Sequence, residues 1–509
     1  MRRYAFLLGF FAILAAPFVV RGVFLERRQR AQEMGLEGPE LRVLTPHNQD
    51  IRHAFSHAFA EWHERHYGSS AKIIYLTPGG TLDIVRYVSD SYTRRGPSRS
   101  GTLPDEAQIS PVAELVWGGG DTTFERELKP FLKPVTLPRG LLEQAFPTPD
   151  LNGVPLYEPR EQGAPRWVGV VLSSFGILYS PPLYRALDLP APESWEDLTR
   201  PELAGLLALA DPTRSGSAAV AYLMAVQRAM ADAEAAYWES RPGGARLPSS
   251  DPEYLEALDR GFRRGMATLL LMAANARYFT DSAGQPPNDV GNGEAAAAVA
   301  IDFYARVFQE QIGPSRLRYV SPHAATAVTP DPIGVLYGTR GEREKLANRF
   351  IEFLLTPEAQ RLWNLKGGKS PFLERSLRRL PIRRDVYRDR RDFADDVDPF
   401  SESGGFNLRT EWMGSFRELR LVWGAAFIDG KSALDAARRR ILRVQDPKRQ
   451  RQLFGELAEL PLTLPELNRI TRERKTAKDA RLYLAQTRVE LGTRFRHHYQ
   501  TLAERAGAP

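Results

Sequence analysis

Between residues 41 and 131 the chain passes three times from a short apolar stretch, through a Pro- or Gly-containing turn, into a helical pattern. The first unit is "LRVLTPHNQD" followed by a helix over 51–66, the second "AKIIYLTPGGTLDIVRYVSD", the third "AELVWGGGDTTFERELKPF". This alternation narrows the fold more than any other feature. A helix between two strands supplies the crossover that parallel pairing needs and a tight turn cannot give. Three such units predict a mostly parallel sheet covered by helices. At 509 residues the chain exceeds one ordinary core, and about 150 residues per domain predicts two to four packing units.

Further along, "WVGVVLSSFGILY" reads as an extended pair, and "SWEDL" opens a helix with Ser194 as N-cap and Asp197 in a capping-box position. "GLLALADPTRSGSAAVAYLMAVQRAM" predicts another strand, turn and long helix, and "GEAAAAVAIDFYARVF" returns to a strand. That makes a second α/β unit. "SPHAATAVTPDPIGVLYG" reads as an irregular, Pro-rich strand, and "EREKLANRFIEFLLTPEAQRLWNLKGG" as two helices with Thr356 capping the second. Beyond Gly368 the chain turns densely basic, and from Phe416 onward it is helical and Arg-rich. This region, 376–509, is expected to be an added extension whose basic face meets solvent, a docking partner or anionic lipid headgroups.

Arg2 and Arg3 precede an apolar run over 4–20, after which Arg21, Glu26, Arg27 and Arg28 restore charge. Residues 1–25 therefore read as a signal peptide or an N-terminal membrane anchor, with the body exported to the periplasm or the outer face of the cytoplasmic membrane. The absence of cysteine excludes a lipidated cysteine, disulfides, thiolate metal ligands and a cysteine nucleophile. Lys and Arg number 69 against 62 Asp and Glu, too even a balance for one continuous basic field, so nucleic acid is not an expected partner. No GxSxG elbow or HExxH helix occurs, and the chain reads as a binding protein, not an enzyme.

In open α/β sheets, ligands sit beyond the carboxyl ends of strands, where backbone N–H groups and helix N-termini converge. His47 follows the first strand, either as a helix-start residue or facing a ligand. Gly79, Gly80 and Thr81 precede the second helix and Gly118, Gly119 and Gly120 the third, where glycine allows positive φ and close approach to a guest but also serves any tight turn. Neither turn is a P-loop, since no Gly-Lys-Ser/Thr follows. Ser215, Gly216 and Ser217 open a long helix and can offer an anion their N–H groups, a hydroxyl and the positive end of a dipole, or simply cap it. Asp302 and Tyr304 fall at the end of a predicted strand with Phe303 on its opposite side. Their oxygen donors would suit a hard cation such as ferric iron. Five of the eight histidines lie within 47–66, but His53 and His57 fall opposite the face made by Phe55, Phe59 and Trp62, which predicts a solvent face and not a metal site.

Taken in order, "LTPHN", "GGTLDIVR", "ELVWGGG", "SSFGILYSP" with "SWEDLTRPELAG", "ALADPTRSGSA", "GEAAAAVAIDFY" and "RFIEFLLTPEAQRLW" resemble the periplasmic substrate-binding proteins of ABC importers. The resemblance covers 41–368 and is strongest to the ferric-iron-binding group. It implies a bilobal Venus-flytrap of the type 2 periplasmic-binding-protein class: two mixed-sheet α/β lobes joined by hinge strands over 41–375, plus the helical C-terminal extension. Lobe 1 would take about 41–125 and 320–375, and lobe 2 about 126–319. By position His47 and Tyr304 resemble iron ligands, with Asp302 as a further donor and Asp90 as a candidate carboxylate, while Ser215, Gly216 and Ser217 resemble the loop holding a synergistic anion. Gly80, Thr81, Gly119 and Ser174 complete the expected cleft lining. Phe303 stands where the family has a second tyrosine, so the implied guest is either ferric iron with its anion or a small organic or phosphorus-containing anion. No tightly bound cofactor is expected. The implied partner is an importer's permease, and the alternative is a membrane-associated sensory or scaffold protein built on the same fold.

Overall fold

The computed structural model describes residues 38–93, 105–160, 163–241, 251–400, 406 and 408–507. The expected signal or anchor over 1–25 lies outside the described residues.

The three βα units fold as two full crossovers and one abbreviated one. β1 (Glu40–Leu44) leads through Asn48, whose side chain accepts from Ile51 N at 3.1 Å, into α1 (Gln49–Tyr67), which ends at Gly68 with φ 72°. Ile51, Phe55, Phe59 and Trp62 form its buried face, while His53 is exposed. β2 (Lys72–Leu76) and β3 (Leu115–Trp117) both pair in parallel with β1, and α2 (Thr81–Thr93) lies between them in sequence. After β3 the expected helix shrinks to one turn at Asp121–Thr123 and a wider turn at Phe124–Leu128, closed by Pro130.

β4 (Leu132–Lys133) and the hairpin of β5 (Asp150–Leu151) and β6 (Val154–Pro155) lead to β7 (Trp167–Ser173). β8 (Phe175–Tyr179) continues beyond Ser174 into a second sheet. In that sheet β9 (Leu207–Ala210) feeds α3 (Gly216–Glu239), and α4 (Pro252–Asn275) returns to β10 (Ala276–Thr280). α3 and α4 pack closely because Gly261 and Gly265 of α4 face α3: a Cβ there would lie 2.6 Å from the Cα of Met230 and of Val226, respectively. β11 (Ala297–Ile301), α5 (Asp302–Ile312) and β12 (Arg318–Val320) complete the lobe, in strand order β10-β9-β11-β8-β12.

The chain then returns to the first sheet as β13 (Thr329–Leu336), giving the order β2-β1-β3-β13-β4 with β7 also on β13. β13 runs antiparallel to β3, β4 and β7, so the sheet is mixed, as the resemblance implies, and not mostly parallel as the three βα units alone predict. The expected boundary near residue 125 moves to Ser174, since β4 and β7 are laddered to β13 and cannot belong to the other lobe. The crossings sit side by side: Thr329 pairs with Ser173, and Thr326 Oγ1 accepts from Phe175 N at 3.2 Å. Together they form the hinge.

α6 (Glu342–Leu354) and α7 (Pro357–Leu362) follow, with Thr356 capping α7 by accepting from Ala359 N. The stretch expected to begin a solvated extension at 376 instead runs back along the hinge, where Leu380 O accepts from Leu172 N at 2.8 Å. Beyond it, α8 (Phe416–Trp423), α9 (Lys431–Ile441), α10 (Pro447–Ala458), α11 (Leu464–Thr476) and α12 (Ala480–Gly507) pack on the second lobe. Trp423 is fully buried with its indole N–H on Met266 Sδ, and Leu464 N donates to Asp259 Oδ1 at 2.7 Å. Phe427, Leu434, Phe495 and Tyr499 join the same contiguous core as both lobes. The correction has a plain cause: Leu491, Phe495, Tyr499 and Leu502 recur at helical spacing beneath an Arg-rich surface. Among the described residues no helix is long and apolar enough to cross a membrane.

Candidate functional site

A cavity of about 530 Å³ opens between the lobes. The first lobe brings His47 at the end of β1, the Gly79–Thr81 turn that opens α2, and Gly119 to Asp121 after β3. The second brings Ser215 and Ser217 at the start of α3, with Phe303 and Tyr304 in the first turn of α5. Ser173, Asp331 and Arg379 make the floor at the hinge. At one edge the lobes touch: a Cβ placed on Gly216 would lie 3.5 Å from Thr81 and 3.6 Å from Thr123 Oγ1.

Of the residues expected to meet a guest, His47, Gly80, Thr81, Gly119, Ser215, Ser217 and Tyr304 line this cavity, and Ser174, Gly216 and Asp302 do not. Gly216 is spent on the lobe contact. Ser174 and Asp302 lie beneath the hinge, where Ser174 Oγ donates to Asp302 Oδ2 at 3.3 Å. Asp302 was expected at a strand end, but the chain enters a helix there. Its carboxylate folds back to accept from Phe303 N at 2.8 Å, and burial pushes its pKa up to about 6. On a helix successive side chains diverge by about 100°, so Phe303 is not opposite Tyr304. Both rings line the cleft, their centroids 4.2 Å apart. The expected metal set of His47, Tyr304 and Asp302 therefore does not assemble, and among the described residues no group of three or more His, Cys, Asp or Glu could hold a metal. Asp90 stands near the far end of α2, away from the cavity lining.

Gly119 lines the cavity but its N–H is already taken. Asp331 Oδ1 accepts from Gly119 N at 2.7 Å and Gly120 N at 3.0 Å, an approach that the positive φ of Gly118, Gly119 and Gly120 permits. A carboxylate of the chain thus fills the cradle expected for a guest.

Arg379 is the residue that sequence reasoning missed. Its side chain is 2% exposed, yet its guanidinium reaches the cavity floor. Nη2 donates to Ser173 Oγ at 2.6 Å and to Asp331 Oδ2 at 2.8 Å, Nη1 stands 2.9 Å from His47 Nε2, and the group lies 4.6 Å over the Phe303 ring. Nε has no hydrogen-bond partner among the described residues. Burial alone would raise Asp331, but the Arg379 charge and hydrogen bonds from His47 and Arg379 hold it well below the usual carboxylate range. Burial keeps His47 below its ordinary pKa despite Asp331, so the imidazole is neutral near pH 7. Its Nδ1 is 2.9 Å from Thr45 Oγ1.

Around this pinned floor the open hydrogen-bonding groups are two helix starts. Ser215 is committed to capping α3, accepting from Ala218 N at 3.2 Å, and Ser217 remains on the cavity wall. Asp83 caps α2 by accepting from Gly80 N at 3.0 Å and also lines the cavity, as does Asp121, whose recessed carboxyl burial lifts to about 6. The walls therefore bring two positive helix ends together, with carboxylate acceptors on the first-lobe side.

The comparisons agree with this architecture. Residues 149–384 match the family model of bacterial extracellular solute-binding proteins. The matched span runs from β5 through β13 to just past Arg379. The phosphoglycerate transport regulatory protein PgtC of Salmonella typhimurium is 26% identical over 205 residues, 40% of this chain and 42% of that protein. The match thus spans less than half the length of the curated relative. The periplasmic binding protein P5PA superposes with a TM-score of 0.52 at 14% identity, over 77% of this chain and 100% of that one. The substrate binding protein of an ABC transporter from Agrobacterium tumefaciens does so with a TM-score of 0.50 at 12% identity, over 77% and 96%. The fold is that of the type 2 periplasmic binding proteins, with a helical C-terminal region added.

Proposed function

We propose that this chain is the exported solute-binding component of an ABC-type importer, and that it captures a small hydroxylated organic anion by closing its lobes and presents it to a permease. One observation carries the choice of guest: the N-termini of α2 and α3 meet across a cavity whose floor is a buried arginine. Helix N-termini attract negative charge. The carboxylates of Asp83 and Asp121 then suit hydroxyl groups on the same guest. Ferric iron is the less favoured guest, because His47 Nε2 is already engaged by Arg379 at 2.9 Å and Asp331 at 3.1 Å, and Asp302 is turned away from the cavity. Closure follows the usual logic, in which contacts made only in the closed form shift the lobe equilibrium.

Phosphoglycerate, which appears in the name of the Salmonella relative, is an anion of this kind and a suitable probe. Calorimetry and thermal shift with 3-phosphoglycerate, inorganic phosphate and ferric citrate test the reading. Stabilisation by an anion is expected, weakened about tenfold in the Ser217→Ala, Tyr304→Phe double variant, which removes two hydroxyls from the cavity wall. A visible phenolate-to-iron absorption band with no anion response would overturn it.

A sensory role is the second reading, favoured by the relative's regulatory name and by an extension packed into the second lobe. Capture of a permease by the full chain supports import. Capture of a membrane sensor through residues after 400 supports sensing.

A further inference from the structure

The extension does more than cover the second lobe. α8 is fixed to that lobe by Trp423 on Met266, and a Cβ on Gly424 would lie only 2.8 Å from Thr213. From this base Arg420 reaches in two directions. Nε donates to the carbonyl of Pro212 at 3.3 Å, in the second-lobe loop that carries Arg214, Ser215 and Ser217. Nη1 donates to Glu127 Oε1 at 3.1 Å, in the first-lobe turn that begins at Asp121. Arg417 adds a second, longer ion pair to Glu127 at 3.9 Å. Phe124 and Leu128, which flank Glu127, are buried in the core of the first lobe beside Leu44, Val88 and Leu336. The contact therefore crosses from one lobe to the other.

We propose that Arg420 is an interlobe latch, a positioning residue through which α8 ties the 121–128 turn of the first lobe to the 211–217 loop of the second and so sets how tightly the cleft holds its guest. Rotation about the hinge at Ser174 and Thr326 must separate Glu127 from Pro212, because they ride on different lobes. Arg420 holds both. With side-chain exposures of 15% and 20%, Arg420 and Glu127 are shielded enough for the pair to matter, where a fully solvated pair would contribute little. Closed and open forms of a hinged binder lie close in free energy, so one such contact shifts their populations, and affinity scales with the closed fraction. The inference rests on the reading that the cleft closes on a guest, but the latch itself can be measured without one.

The chain contains no cysteine, so Tyr87→Cys on α2 and Tyr278→Cys on β10, both at exposed positions, give one spin label per lobe in the otherwise intact protein. In guest-free protein the inter-label distance is expected to lengthen and broaden in Arg420→Ala and equally in Glu127→Ala, and to stay nearer the parent in Arg420→Lys, which keeps a donor cation at this position. Dissociation of 3-phosphoglycerate should accelerate about fivefold in each alanine variant. Glu127→Ala guards against a folding defect in α8, since it leaves the extension untouched. Parent-like distances in both alanine variants would overturn the latch. So would a change in Arg420→Ala alone, which would mark loosened packing of α8. Longer distances in both variants, with no binding of phosphoglycerate to any form, would uphold the latch and reject the guest.

Discussion

Arg378 and Arg379 are adjacent, chemically identical and committed to different places. Arg378 takes a φ of 55°, the left-handed region that costs a non-glycine residue about 1–2 kcal/mol, and its guanidinium leaves for Glu310 and Asp395. The turn sends Arg379 inward to Asp331 and His47. Nothing in "ERSLRRLP" separates the two, because the choice is made by a backbone angle and by an acceptor 48 residues away. Asp331 was equally illegible within its Pro-rich strand. His47 could be singled out because it follows a strand directly, a position fixed by local pattern alone. Asp302 carries a prediction at this scale. Its pKa of about 6 lies above the unfolded value of roughly 3.9, so folding favours the protonated form. The associated stability is complete below the unfolded value and lost as pH rises through about 6. Asp302→Asn should therefore stabilise the protein by about 2 kcal/mol at pH 7.5 and by little at pH 4, read from denaturant titrations at the two pH values. Equal gains at both would show that Asp302 does not ionise within this range.

Among the elements, α3 divides its first residues between a structural cap and the cavity wall. Ser215 accepts from Ala218 N, so Ser215→Ala should cost about 1 kcal/mol of stability through the lost cap. Ser217 stands on the cavity wall with no such duty, so Ser217→Ala should leave the melting temperature within about 1 °C while weakening anion binding. Paired thermal melts and titrations separate the two, and a similar melting loss in both variants would deny the division. The strands and helices around this site were readable because each unit announces itself with a 2-residue or 3.6-residue period and a Gly, Pro or Ser at the junction. The junction from β11 to α5 was not. "AVAIDFYARVF" is apolar enough for either state up to Ile301, and only tertiary packing places the change of period at Asp302. The extension misled for a different reason: exposed Arg439, Arg443, Lys475 and Arg481 dominate its composition, while the apolar stripe beneath them is sparse.

As a whole, the molecule is two sheets, a pair of adjacent crossings and a helical layer that shares their core. The lobes could be read from the order of segments, whereas the first-lobe boundary could not, because β13 returns more than 150 residues after β7 to complete that sheet. Shared packing makes the extension part of the second lobe's stability. Trp423→Ala should destabilise the chain by about 3–5 kcal/mol, with the extension and α4 unfolding in one calorimetric transition. Two separate transitions would show that the extension is an independent unit. The return of the chain along the hinge has a consequence for biosynthesis. Chains are made and released N-terminus first, so Asp331 is delivered 48 residues before the arginine that neutralises it. Until that arginine arrives, the strands of both sheets are already present with an acid lacking its counter-charge, and the pocket takes its final polarity only once the chain has been made past residue 379.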